Sequence, residues 1–174
     1  MNWQKIFTDY WGQITLLLLA ISYFVKRVFD NKSKKIEINH SLFQQNRITA
    51  INTFFKNYAK AELMWNQLQI WNIVSNKLSA IEMDKIIIPP LNEVRQSVLE
   101  LKIYFEPAAH KSFEQILDNF LSINGKLMDI YFWSSNEETI TRKVNDFDLY
   151  RTKMFKENNR LIDLVCSEIK ETFK

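Results

Sequence analysis

The residues able to do chemistry in this chain are few and scattered. Histidine occurs only at His40 and His110, and cysteine only at Cys166. His40 stands in a polar stretch, and His110 follows Pro107 in what reads as the first turn of a helix. Neither has Cys, His or carboxylate neighbours at metal-ligand spacing, so no metal is expected and both rings read as solvated. Cys166 has Ile162, Ile169 and Phe173 on its own helical face, and no nearby cation by sequence to make it a thiolate. It reads as a small buried hydrophobe. Two carboxylate pairs remain. Glu137-Glu138 suits a helix N-terminus, where the dipole favours negative charge. Asp146 and Asp148 fall on different faces of a helix and read as solvated surface. Two isolated glycines, Gly12 and Gly125, leave no glycine-rich loop to cradle a phosphate. No catalytic site and no cofactor are expected.

The elements that carry these residues read as helices throughout. The only prolines are Pro89, Pro90 and Pro107, so the 76 residues between Gly12 and Pro89 contain neither breaker. Sheets and tight hairpins need such residues at their corners. The expected fold class is all-α: one N-terminal transmembrane helix, then an antiparallel bundle of about four helices in the cytoplasm. The expected divisions are a transmembrane anchor with its flanks over 1–29, a basic joint over 30–40 and the bundle over 41–174.

The anchor rests on "WGQITLLLLAISYFVKR" (residues 11–27). Sixteen uncharged residues separate Asp9 from Lys26. At about 1.5 Å per residue they rise about 24 Å, somewhat less than a hydrocarbon core of about 30 Å. Trp11 and Phe24 stand at the two ends as interfacial aromatics. Leu16, Leu17, Leu18 and Leu19 fill a whole turn, so the helix has no polar face on which to lie in the membrane plane. A signal peptide fits less well, because Asp9 occupies the region that should be basic.

Charge is distributed unevenly. Residues 1–35 hold six basic side chains against two acidic ones, whereas residues 36–174 hold 17 against 18. The excess lies in a collar of Lys26, Arg27, Lys32, Lys34 and Lys35 immediately after the apolar run. By the positive-inside rule the C-terminal body is expected in the cytoplasm and the short N-terminus outside an inner (plasma) membrane. The collar would then meet an anionic leaflet. The near-neutral body lacks the footprint that phosphate-backbone binding requires, so nucleic acid is not an expected partner.

Within the body, Ser41-x-x-Gln44 matches a capping box. It opens an expected helix to about Leu78, either separate from the span or continuous with it, with the stripe Ile48, Ile51, Phe54, Phe55, Tyr58, Ala61, Trp65 and Leu68. Pro89-Pro90 should end any preceding helix and open a second one reaching Phe105. A third starts at Pro107 and keeps its stripe in phase across Asn124-Gly125. Ser135-x-x-Glu138 caps the last, whose coiled-coil-like seam is interrupted by Arg151 and Asn158. Trp65, Trp71 and Trp133 are candidate interface residues, since large aromatics concentrate at binding hot spots.

The function expected from this pattern is a membrane-anchored, non-enzymatic protein that scaffolds, regulates or recruits a protein partner, or a second copy of itself, at the cytoplasmic face. The competing expectation is an effector of defence, exclusion or toxin type whose span oligomerises and perturbs the bilayer. Gln13, Thr15 and Ser22 would supply polar helix–helix contacts in that case.

Overall fold

The computed structural model describes residues 3–133 and 137–172, and side chains over 10–75, 78–132 and 138–171. All elements among the described residues are helical: α1 (Trp3–Gln67), a single turn α2 (Ile70–Asn72) leading into a π-helical turn (Ile73–Lys77), α3 (Ala80–Leu101), α4 (Pro107–Trp133) and α5 (Glu137–Thr172). The chain divides into two compact units, Met1–Asn46 and Arg47–Lys174.

α1 runs without interruption through Asp30–Lys35 and Ser41–Gln44. Of the two expected arrangements the continuous one is observed, and Ser41 starts no helix. A capping box acts only where the chain enters a helix from outside, and no Gly or Pro breaks this stretch. The capping box that does form lies at Ser79. The Glu82 amide donates to Ser79 Oγ at 3.3 Å, and the Ser79 amide donates to Glu82 Oε2 at 2.9 Å. Hydrogen bonds from the Ser79 amide and hydroxyl hold the Glu82 carboxyl below its ordinary range.

In the second unit, the apolar stripe of α1 is buried at Ile51, Phe54, Tyr58, Ala61 and Trp65. Its rings pack on the other helices: Phe54 meets Phe113 edge-on at 4.9 Å, Tyr58 meets Phe120 at 5.4 Å, and Trp65 meets Phe147 at 6.4 Å. Such pairs each add about 0.5–1.5 kcal/mol beyond the area they bury. α4 contributes Phe113, Ile116, Phe120, Ile123 and Leu127 to the same core, and α5 contributes Phe147, Leu161 and Val165.

Pro89 and Pro90 lie inside α3 rather than at its boundary. Their missing N–H groups leave the carbonyls of Lys85 and Ile86 without intrahelical donors. Lys85, Ile86 and Pro89 are exposed, so water can reach that side of the helix. On the opposite side Met83, Ile87, Leu91, Val94, Val98 and Leu101 form one unbroken buried stripe. Packing on both flanks of the diproline overrides its helix-breaking tendency. α4 begins at Pro107, as expected, and continues through Gly125, where a Cβ would meet nothing within 4 Å.

α1 ends eleven residues before Leu78, and a side chain from another helix meets its terminal carbonyl. Continuation would need the Gln69 amide on the Trp65 carbonyl. Instead Arg151 Nη1 of α5 donates to that carbonyl at 2.6 Å, with Nη2 held by Asp148 at 2.9 Å. Gln69 adopts extended backbone, and the turn that follows buries Ile70, Ile73 and Val74. Farther along α5, Asn158 is fully buried and accepts a hydrogen bond from Asn119 Nδ2 at 2.7 Å. The two polar residues that interrupt the α5 seam thus face inward with partners. Arg151→Met is expected to destabilise the full chain in detergent by about 1.5–3 kcal/mol, the worth of a hydrogen bond involving a charged group. A denaturant midpoint equal to wild type would mean that this bond contributes nothing to stability.

Tyr58 supplies a pH test of the same core. Burial, reinforced by the neighbouring Glu62 carboxylate, pushes its phenol above the ordinary value of 10.0. The folded state therefore retains a proton that the unfolded state releases near pH 10, and stability falls as pH rises above about 10. Tyr58→Phe should flatten that alkaline limb in thermal unfolding of the full chain. An unchanged limb would place its origin elsewhere.

Candidate membrane-contacting site

The first unit contains the most unusual surface of the molecule. Leu16, Leu17, Leu18 and Leu19 are 58–70% exposed, and Trp11, Tyr23 and Phe24 are similarly open. Four consecutive residues occupy every side of a helix at about 100° apiece. Apolar side chains therefore face outward in all directions, and no part of the 18-residue apolar window is buried. A contiguous apolar surface of this kind marks an interaction surface and is uncommon on soluble monomers. Helical backbone suits such a place, because every interior N–H and C=O is satisfied within the segment. Thr15 Oγ1 donates to the Trp11 carbonyl at 2.9 Å, so even this polar side chain is closed onto its own helix.

Lys26, Arg27, Lys32, Lys34 and Lys35 follow on the same helix, all exposed. Ion pairs of the second unit include Lys60–Glu93, His110–Glu114, Arg151–Asp148 and Arg160–Glu157. The apolar run and the five cations thus lie on one uninterrupted helix.

The three tryptophans fare differently. Trp65 is fully buried against Phe147, so it belongs to the core and offers nothing to a partner. Trp71 is 39% exposed at the turn after α1. The Trp133 side chain lies outside the described residues, as do the Ser135 capping position and Phe173.

His110 departs from expectation. It is buried, with Nε2 2.9 Å from the Val98 carbonyl and Nδ1 3.3 Å from Glu114 Oε1. A carbonyl oxygen only accepts, so Nε2 carries a proton. Val98 lies in the last turn of α3, where carbonyls lack intrahelical donors, and the imidazole satisfies one of them. This ring is a structural tie between α3 and α4. His40 is exposed, as expected. Cys166 is half-buried rather than enclosed. Asp148 serves the Arg151 cap, so the Asp146/Asp148 pair is only partly solvated surface. Among the described residues no three His, Cys, Asp or Glu side chains converge as a metal site would require. Sequence reasoning missed the capping roles of Arg151 and His110. A helix end without glycine was the available signal.

The fold and this surface define an all-helical protein with one N-terminal helix long and apolar enough to cross a membrane. Comparison with protein-family models, curated proteins and solved structures returns no match.

Leu18→Arg tests the apolar ring directly. At the centre of a span the exchange costs about 3–4 kcal/mol of insertion free energy. The variant is expected to become extractable from membranes by alkaline carbonate while the wild type stays in the pellet. Retention equal to wild type would mean that this segment does not set membrane association.

Proposed function

We propose that the protein is a single-pass, non-enzymatic membrane protein whose helical body lies on the cytoplasmic side and recruits or scaffolds a protein partner there. The observation that carries this reading is the helix apolar on every face and flanked on its C-terminal side by five cations. A span explains the apolar exposure, and the basic flank orients it by the positive-inside rule, with the N-terminus outside. Recruitment is supported by apolar side chains left open on the second unit: Trp71, Ile81, Leu99, Ile103 and Leu149. The anchor role is preferred over a bilayer-perturbing span because the Thr15 hydroxyl donates to its own helix, which weakens the case for polar contacts between spans.

Orientation is tested with a cysteine placed near the C-terminus. In Cys166→Ser/Glu171→Cys, a membrane-impermeant maleimide is expected to label permeabilised cells and spare intact ones. Labelling of intact cells would reverse the orientation, and recovery of the intact chain in the soluble fraction would remove the span. The recruiting role predicts that the full chain, purified from membranes in mild detergent, sizes by light scattering as a complex larger than one protomer. A bare monomer would count against it.

A further inference from the structure

The collar is two tiers of charge on one continuous helix. Lys26 and Arg27 form an inner tier that directly ends the apolar run, and Lys32, Lys34 and Lys35 form an outer tier. Arg27 and Lys32 are separated by a rise of about 7.5 Å. That spacing matches the headgroup layer, which adds about 5–7 Å on each side of the hydrocarbon core. Val28 and Phe29 lie between the tiers and are 63% and 68% exposed, apolar side chains placed where the interface would be. Asp30 is the single carboxylate in the ten residues from Lys26 to Lys35.

The tiers also surround the helix. Taking Lys26 as the origin, the five cations fall at about 0°, 100°, 240°, 80° and 180°, with no gap wider than about 120°. An amphipathic helix lying on a surface concentrates its cations on one side. A ring instead faces lipid in every lateral direction, as a helix crossing the interface requires. Long lysine and arginine side chains reach several ångströms along the axis. The inner tier can extend outward and the outer tier back toward the membrane, so both arrive at the phosphate plane.

We infer that this two-tier ring is a binding site for anionic phospholipid headgroups, with the outer tier, Lys32, Lys34 and Lys35, selecting phosphatidylglycerol-type lipids from neutral ones. The inference rests on the membrane-spanning reading. The inner tier sets the depth of the helix by ending its apolar length. The outer tier lies on the aqueous side, where attraction to a negatively charged leaflet depends on ionic strength. The chemistry recognised is the headgroup phosphate diester within a bilayer of negative surface potential.

The test uses the full chain reconstituted into phosphatidylcholine vesicles containing a minority of phosphatidylglycerol. Association of spin-labelled phosphatidylglycerol and spin-labelled phosphatidylcholine is compared by electron paramagnetic resonance. At low salt the wild type is expected to favour the anionic probe about fivefold, the equivalent of the about 1 kcal/mol contributed by one cation near such a surface. The preference should vanish in about 1 M salt, where the Debye length is about 3 Å. In Lys32→Gln/Lys34→Gln/Lys35→Gln the preference should fall well below the wild-type value while the protein still floats with the vesicles and keeps its helical circular dichroism. Equal association of both probes with the wild type, or an undiminished preference in the triple variant, overturns the lipid selectivity and leaves the span standing. Failure of the wild type to float with these vesicles overturns the membrane-spanning reading as well.

Discussion

Every helix ends with carbonyls that have no donor within the helix, and many chains meet that need with a glycine in left-handed conformation. This chain has two glycines, at positions 12 and 125, and neither follows the end of a helix. Backbone amides of the turn after α3 meet the carbonyls of Leu99, Glu100 and Leu101, and side chains of other helices provide further bonds. Arg151 of α5 donates to the Trp65 carbonyl in the last turn of α1, and His110 of α4 bonds the Val98 carbonyl in the last turn of α3. The Tyr131 hydroxyl of α4 donates to the Leu78 carbonyl just before α3 at 3.3 Å. Each contact does two things at once, closing a helix and tying it to a neighbour. The ends of α1 and α3 are thus tied to packing.

In the first unit the apolar run carries exposed apolar side chains around its whole circumference. The contrast follows from composition. The second unit alternates apolar stripes with mixed charge, so each helix has a side to bury and a side to solvate. In the apolar run of α1 the side facing solvent in an amphipathic helix is leucine as well. Such a segment gains nothing from water on any face, whereas the cations that follow it are well solvated.

Individual residues show how far periodicity reaches. The stripe of α4 was legible because Phe113, Ile116, Phe120 and Leu127 recur at helical spacing and are all buried. The phase of the stripe left open whether Asn124-Gly125 ends that helix, and the structure carries it through. Pro89-Pro90 was misread because its local preference for a break is real. What outweighed it was the buried stripe from Met83 to Leu101, whose partners lie on other helices. Ser41 and Ser79 carry equally good capping tetrapeptides, and only one is used. At Ser79 the chain arrives from the extended backbone of Leu78, whereas Ser41 lies inside an uninterrupted helix. His110 read as solvated because its burial comes from α3, which local spacing does not reveal.

Sequence alone determined the helical class, the position of the apolar run and the charge asymmetry beside it. Those properties depend on composition and on neighbours within a few turns. Tertiary structure decided where α1 stops, that α3 runs through two prolines, and that Trp65, His110, Arg151 and Asn158 face the interior. These outcomes turn on which distant carbonyl, amide or ring meets a side chain, and short-range periodicity carries no information about such meetings. The apolar ring and its collar were readable in advance because both lie on a single helix, where linear spacing and spatial arrangement coincide.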